Sequence, residues 1–447
     1  GHWVLVHPPH PLEVVQQWLG WLEEVGVEVT LVEACVERRA IEERLRGVGD
    51  GVTCVVSFAA WDDGDGVLDD PISFGFASTL AFLQAVPDSG ISGPVWLVSQ
   101  GAVCVERTES IIRPKQSLIW GLGRVFGLEH SARFGGLLDL PEKLDDEALG
   151  RACSLLARGG LEDQVALRSR GLFYRRLVRG SHNEMNSPWH ARGTVLITGG
   201  TGALGAHAAR WMVAQGAEHV VLTSRRGLEA EGAEELSREL EGQGAQVTIA
   251  SCDVADGIQL KALVESLVNA EVPLRSVVHA AGAVGYGWIC QLDAAEVRRE
   301  MRAKVIGAWN LHEAVGSSPL DAMIFYGSIA GLWGSGQQAA YSASNAALEA
   351  LARYRRAHEQ HGLVVHWGPW AGGGMVSDTE NDSESSELRL RKRGLLPMPP
   401  ERALHALGLA LRSGATSLAV VKADWSRLAP VLAFARPRPF FDGVFEA

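Results

Sequence analysis

The sequence predicts an α/β protein built from two Rossmann-like, doubly wound parallel-sheet subdomains, the first of them degenerate. Three observations carry this. Short apolar, strand-like runs alternate with helix-length stretches from one end of the chain to the other. One such run, Val195-Leu196-Ile197, leads into a glycine-rich turn that opens a helix. And 447 residues are too many for one ordinary domain.

In the second half the strands are expected at 194–198, 219–224, 246–251, 276–280, 322–327, 363–367 and 418–422, with helical patterns between them and the longest helix at about 338 to 360. Right-handed crossovers then place a ligand at the carboxyl ends of the strands. The first half repeats the plan more loosely. Strand-like runs at 3–7, 27–32, 52–58, 94–99 and 165–178 are separated by helical patterns near 12–25, 70–86, 114–129 and 145–158. Its first strand is followed by His7-Pro8-Pro9-His10-Pro11. Prolines lack the N–H groups that would cradle a pyrophosphate and cannot take the positive φ open to glycine. The first half therefore reads as a structural partner, 1–185, and the second, 186–447, as the catalytic unit. The polar segment Ser181–His190 reads as the linker between them. A glycine spacing at Gly121-Leu122-Gly123-Arg124-Val125-Phe126-Gly127 lies inside a helical pattern and opens no helix after a strand, so it reads as small residues for close helix packing.

Composition narrows the function classes. A formal charge of −12 argues against a general nucleic-acid binder, which needs a basic surface. No apolar run reaches the ~20 residues of a membrane span, and no secretory signal is visible. Cys35, Cys54, Cys104, Cys153, Cys252 and Cys290 are scattered without a C-x-x-C pair, which fits reduced cysteines in a cytoplasmic protein and neither a disulfide framework nor a metal site.

The turn after Thr198 has the context its spacing demands. Gly199 allows the tight turn, Thr201, Gly202, Ala203 and Leu204 carry the backbone past a phosphate, and Gly205 lets the helix approach the strand. The helix N-terminus then offers free N–H groups and its positive dipole end to a pyrophosphate. The next strand ends in Ser224-Arg225-Arg226, where a carboxylate would favour a free ribose hydroxyl and arginine favours a 2′-phosphate. The cofactor is therefore read as NADPH, with Arg225 as first choice for the phosphate. Asp253-Val254 ends the third strand and offers a carboxylate to the adenine amine, while Ala280-Ala281-Gly282 ends the fourth with small side chains that leave the cofactor room.

Hydride delivery to a ketone builds negative charge on oxygen, so the site needs donors and a proton. Ser328 follows an apolar strand and Tyr341 opens the long helix. A free tyrosine titrates near ~10, and a neighbouring ammonium is expected to lower that value. Lys304 is the candidate, one of only six lysines among 41 basic residues, and it would also hold the nicotinamide ribose. Asn345, one turn after Tyr341, shares its face and is expected to position Lys304 or a water. Ser377–Glu387, acidic and serine-rich after Gly372-Gly373-Gly374, reads as a mobile flap, with the lid region near 372–397.

At these residues the chain resembles the ketoreductase domain of modular type I polyketide synthases, within the extended short-chain dehydrogenase/reductase superfamily. Besides the site residues, the resemblance rests on Trp96-Leu97-Val98-Ser99-Gln100-Gly101-Ala102, Trp120-Gly121-Leu122-Gly123-Arg124, Glu162–Arg168, His279-Ala280-Ala281-Gly282, Trp333-Gly334-Ser335-Gly336 and Trp367-Gly368-Pro369-Trp370. Ordinary short-chain reductases carry lysine four residues after the tyrosine. Here Asn345 stands there and the lysine is Lys304, an exchange typical of these ketoreductases. The resemblance implies a β-ketoacyl substrate held as a thioester on an acyl carrier protein, neighbouring domains of the same synthase polypeptide, and Arg436-Pro437-Arg438-Pro439 as part of an interdomain linker. It implies Pro369 at the cofactor and Trp333, Gln338 and Met375 at the substrate. Val284-Gly285-Tyr286 stands where B-type enzymes carry Leu-Asp-Asp, Trp333 lies eight residues before Tyr341, and Gln338 replaces the histidine of enzymes acting on epimerised substrates. Together these imply type A1: an L-β-hydroxyl without α-epimerisation. Gly327 replaces the usual serine beside Ser328, and Gly372 stands where aspartate is frequent. Two rival readings are a free-standing dehydrogenase of a diffusible alcohol and a redox-silent scaffold domain of a megasynthase. The large first half and the Lys304/Asn345 exchange weigh against the former, and the intact Tyr341, Ser328 and glycine turn against the latter.

Overall fold

Valine- and isoleucine-rich runs form the strands, because β-branched side chains pack well on a pleated, buried surface. The computed structural model describes residues 1–10, 12–62, 70, 72–106, 109–180, 188–372 and 386–445. In chain order the first-half strands are β1 (His2–His7), β2 (Glu28–Glu33), β3 (Val52–Ser57), β4 (Val95–Gln100), β5 (Phe134–Leu140), β6 (Gln164–Arg168) and β7 (Gly171–Tyr174). They form one sheet in the order β2-β1-β3-β4-β5-β6-β7, parallel except for the antiparallel edge pair β6–β7. The second half contributes β8 (Thr194–Thr198), β9 (His219–Ser224), β10 (Gln246–Ser251), β11 (Leu274–His279), β12 (Ala322–Ser328), β13 (Leu363–Trp367), β14 (Leu395–Leu396), β15 (Ser417–Val420) and β16 (Lys422–Ala423). Its sheet runs β10-β9-β8-β11-β12-β13-β15, parallel throughout, with β14 and β16 in a separate small ribbon. This is the expected α/β architecture of two doubly wound, Rossmann-like sheets.

Two expectations for the first half need correction. Strand β5 is absent from the sequence reading, because Phe134-Gly135-Gly136-Leu137-Leu138-Asp139-Leu140 carries two glycines and an aspartate. The glycines make room for the Trp96 indole, which a β-carbon at either position would strike. Asp139 is fully buried and satisfied, accepting from Ser99 Oγ at 2.6 Å, Ala102 N at 2.9 Å and Arg168 at 2.9 Å. The single strand expected at 165–178 is a hairpin that turns before Gly171.

The two halves share an apolar interior. It runs from Val4, Val55 and Phe82 through Leu118 and Phe126 to Met323, Ala343 and Leu351. The helix Leu118–Glu129 of the first half lies on the long helix Ala339–Ala357 of the second. A β-carbon at Gly121 would collide with the backbone of Ser342 and Ala343, so the glycine spacing there serves helix packing, as read from the sequence. Buried Glu349 adds a polar tie, accepting from Arg175 at 2.7 Å and Arg353 at 3.1 Å.

The carboxyl-terminal segment is not a free linker. Arg436 donates to Phe134 O at 2.9 Å and buried Arg438 to Trp333 O at 2.6 Å, while Leu177 N donates to Phe440 O at 2.7 Å. Residues 439–445 thus fold back over both halves, because Phe440 and Phe441 bury more apolar surface there than they could in an extended chain. Most of the expected linker and flap, and Met375 with them, lie outside the described residues.

Candidate active site

The second sheet's strands end where the chain order reverses, between β8 and β11, and the glycine turn sits there. Gly199 takes φ +69°, and a β-carbon on it would lie 2.9 Å from Ala281 N. At Gly205 a β-carbon would collide with the Gly199 carbonyl oxygen, and at Gly202 it would meet only that same oxygen, at 3.3 Å. The turn is held from within by Gly202 N donating to Gly199 O at 3.0 Å and Gly200 N to Thr223 O at 3.1 Å. The helix Ala203–Ala214 starts directly after it with no side-chain cap, so its first N–H groups point at the turn.

At the end of β9, Arg225 and Arg226 are exposed, and Ser224 Oγ is buried without a hydrogen-bond partner. An orphaned hydroxyl beside two guanidinium groups and a glycine cradle with an open face fit a phosphorylated dinucleotide. Asp253 is engaged otherwise: it accepts from Arg302 at 2.5 Å and from Ala255 N at 3.0 Å. These partners keep its carboxyl below the usual range against the opposing effect of burial. Val254 is buried beside it, and Ala280 N bonds Thr198 O at 3.1 Å, continuing the sheet into Ala280-Ala281-Gly282. Gly282 makes room for the Lys304 side chain, whose Cε a β-carbon would approach to 2.7 Å. Pro369 follows β13, and its carbonyl accepts from Met398 N at 2.8 Å.

The chemical residues converge at the carboxyl edge of β12. Ser328 ends that strand and caps the short helix Ile329–Trp333, accepting from Ala330 N at 3.2 Å. Tyr341 enters from the first turn of the helix Ala339–Ala357. Burial pushes its phenol above the ordinary value, while hydrogen bonds from Ser328 and Asn345 pull it back. Lys304 is 3% exposed; its Nζ lies 5.5 Å from the Tyr341 ring centroid and donates to Tyr326 O at 2.9 Å. Burial lowers its own pKa to about 8. Two expectations change here. The tyrosine does not fall below its ordinary range, because burial raises it by more than hydrogen bonding lowers it. Nor does Asn345 hold Lys304: its Nδ2 donates to Tyr341 O at 2.7 Å, and its Oδ1 is buried without a partner, an acceptor open to a water or an ammonium.

Sequence reasoning missed what fixes Lys304. It sits in a π-helical turn, Arg302–Ile306, in which the regular helical ladder is broken. Its carbonyl bonds instead to His279 Nε2 at 3.0 Å. A carbonyl only accepts, so Nε2 carries the proton and Nδ1 accepts from Thr198 Oγ1 at 2.7 Å. Burial drives His279 down to about 3, so the ring stays neutral at ordinary pH. The signal was the histidine ending β11, a buried strand where an apolar residue is the default.

Trp333 is 3% exposed, its ring 5.5 Å from Phe441 and packed with Ile329 and Leu332. It sets the position of its short helix against the carboxyl-terminal segment and offers little open surface of its own. Gln338 precedes the helix Ala339–Ala357 and bridges to Gly287. The Glu300 carboxylate occupies the place of a side chain at Gly285. A β-carbon at Gly327 would lie 3.0 Å from Val364 and 3.3 Å from His366, and Gly372 takes φ +75°. Among the described residues no group of three or more metal-ligating side chains occurs, and no helix is long and apolar enough to cross a membrane.

Comparison with known proteins agrees with this geometry. Residues 193–372 match the KR domain family, and residues 25–177 match the Rossmann fold domain of the polyketide synthase extender module SpnB. The chain is 43% identical over its full length to polyketide synthase GfsA of Streptomyces halstedii and to pikromycin polyketide synthase component PikAIII of Streptomyces venezuelae. It spans 6% and 28% of those two proteins. A solved A1-type ketoreductase is 38% identical, with a TM-score of 0.93, all of this chain covered and 94% of that one. The first ketoreductase of the tylosin synthase is likewise 38% identical, with a TM-score of 0.88, all of this chain covered and 96% of that one. With two superposable sheets and this extent of shared sequence, the chain belongs to the ketoreductase domain family of modular polyketide synthases.

Proposed function

We propose that this domain uses NADPH to reduce the β-keto group of an acyl chain held as a thioester on an acyl carrier protein, giving an L-β-hydroxyacyl thioester without α-epimerisation. The carrier and the neighbouring domains would belong to one cytoplasmic synthase polypeptide, with the first sheet as its structural subdomain and the second as its catalytic one. The observation that carries the reading is the cluster at the edge of β12: a half-buried, protonated Tyr341 at the start of its helix, Ser328 at the end of the strand, and the Lys304 ammonium 5.5 Å from the Tyr341 ring.

When bound, the reduced nicotinamide supplies hydride. Everything else falls to the chain. Gly199–Gly205 and the helix after it would hold the pyrophosphate, and Arg225, Arg226 and Ser224 the 2′-phosphate. Ser328 and Tyr341 donate to the ketone oxygen, stabilising the negative charge as it develops. Tyr341 then delivers its proton, which it retains at neutral pH because burial keeps its pKa high. Lys304 stabilises the phenolate left behind, and Asn345 Oδ1 offers an acceptor for the water that restores the proton. Trp333 and Gln338 flank the acyl chain through the positions they give to 329–341, and the absence of Leu-Asp-Asp at 284–286 supports the A-type outcome.

The test is NADPH consumption with a β-ketoacyl thioester, chiral analysis of the alcohol, and Tyr341→Phe beside it. Turnover to the L-alcohol that disappears in the variant is expected. Cofactor binding without turnover, or equal turnover in Tyr341→Phe, would overturn the reading.

A further inference from the structure

The helix Leu118–Glu129 of the first half does more than pack against the catalytic helix. It ends at Glu129, whose carboxylate accepts backbone N–H groups from two separate loops of the second half: Ile289 through Oε2 at 2.8 Å and Gln337 through Oε1 at 2.8 Å. Both loops border the reacting tyrosine. One comes after β11 and carries Tyr286, which is close enough to raise the Tyr341 pKa. The other, 334–338, joins Trp333 to the catalytic helix. The loops also bond each other, Gly287 N donating to Gln337 O at 2.9 Å.

Two further observations point to the same joint. Gln337 takes φ 64°, a left-handed conformation that a residue with a β-carbon keeps only when its surroundings hold it. And Gln84, also from the first half, donates Nε2 to Ile289 O at 2.8 Å and Leu292 O at 2.9 Å. A carboxylate suits the joint because it has two acceptor oxygens in fixed geometry, and each bond is charge-assisted.

We propose that Glu129 is a positioning residue for stereocontrol: by fixing the spacing of the 284–292 and 334–338 loops, the structural half of the chain sets which face of the β-ketone meets the hydride donor. The inference rests on the ketone-reducing reading above. Glu129 touches no reacting atom and acts through Gln337 and Ile289. It therefore governs how the acyl chain lies, while the cofactor site at β8–β9 is independent of it.

The test uses the full chain, NADPH and a racemic α-substituted β-ketoacyl thioester, comparing wild type with Glu129→Ala, Glu129→Gln and Gln84→Ala. The readouts are the ratio of alcohol stereoisomers, thioester KM against kcat, NADPH Kd and thermal melting. Loss of two charge-assisted bonds in Glu129→Ala is expected to erode the isomer ratio by about tenfold and raise KM, with NADPH Kd held within about twofold. Glu129→Gln, with one acceptor oxygen, should fall between, and Gln84→Ala should give the smallest change in the same direction. An unchanged isomer ratio in folded Glu129→Ala overturns the proposal, as does a parallel loss of kcat and NADPH affinity at constant ratio. If Glu129→Ala does not fold, Glu129→Gln and Gln84→Ala decide on the same readout. A wild-type protein that binds NADPH and reduces nothing would overturn the underlying reading, and this inference with it.

Discussion

The two sheets differ less in topology than in the turns that leave their first strands. In the second half β8 runs into Gly199–Gly202 and then a helix, leaving backbone N–H groups open at the switch point. In the first half β1 runs into His7-Pro8, and the space past β3 is filled by Phe58, fully buried and edge-on to Trp18 at 5.4 Å and Trp61 at 5.6 Å. One switch point carries a glycine turn followed by an uncapped helix start; the other is filled by aromatic packing. A shared sheet plan therefore says nothing about which half binds, and a handful of turn residues says all of it. The first half is tied to the second through the helix Leu118–Glu129, packed on the helix Ala339–Ala357, and through the Arg175–Glu349 ion pair.

That contrast can be broken or sharpened, from the largest effect to the smallest. Tyr341→Phe should remove about three orders of magnitude of turnover, within the range for a general acid, while NADPH quenching of protein fluorescence persists. Glu349→Gln, which leaves Arg175 and Arg353 facing a neutral amide in the interior, should cost about 3 kcal/mol in denaturant unfolding. A smaller loss, or separate melting of the two halves in wild type, would show that the tie is incidental. Gly205→Ala should cost about 1–3 kcal/mol and abolish tight NADPH binding, because the new methyl meets the Gly199 carbonyl. The counterpart change in the first half, Pro8→Gly, should create no nucleotide binding, by calorimetry. Arg225→Ala should weaken NADPH roughly tenfold or more and leave NADH nearly untouched, as the loss of a charge-assisted phosphate bond requires. The gentlest probe is pH. Burial lowers Lys304 to about 8, so its ammonium is present below that value and lost above it. Reduction also needs the Tyr341 proton, which is retained through this range, so kcat should be level at neutral pH and fall as pH rises past about 8. A profile that stays flat well above the Lys304 value would separate that lysine from the chemistry.

Much of this was legible in the chain. Strands β8, β9, β10 and β13 fall where the sequence places them, because each is a short β-branched run between turn residues. The glycine turn and the Ser328, Tyr341, Lys304 and Asn345 set were found from spacing and residue type. Strand β5 was hidden, since its glycines answer to Trp96, a residue far away in sequence. Arg436–Pro439 looked like linker because proline and arginine are usually exposed, yet Arg438 and Pro439 are buried against Trp333 and its neighbours. His279 was visible only as part of a motif; its hold on the Lys304 carbonyl depends on a π-turn that no local pattern announces.

By itself, the sequence determined the alternation of elements, the half that carries the glycine turn and the set of candidate reactive side chains, because those depend on local periodicity, backbone freedom at glycine and proline, and functional-group chemistry. Only the tertiary structure decided how the groups are tuned and held: the raised Tyr341, the lowered Lys304, Asn345 bonded to the Tyr341 carbonyl, and Glu129 reaching from one half into the loops of the other. Desolvation and long-range hydrogen bonds depend on what the folded chain brings around each group, and neighbours in space are not neighbours in sequence.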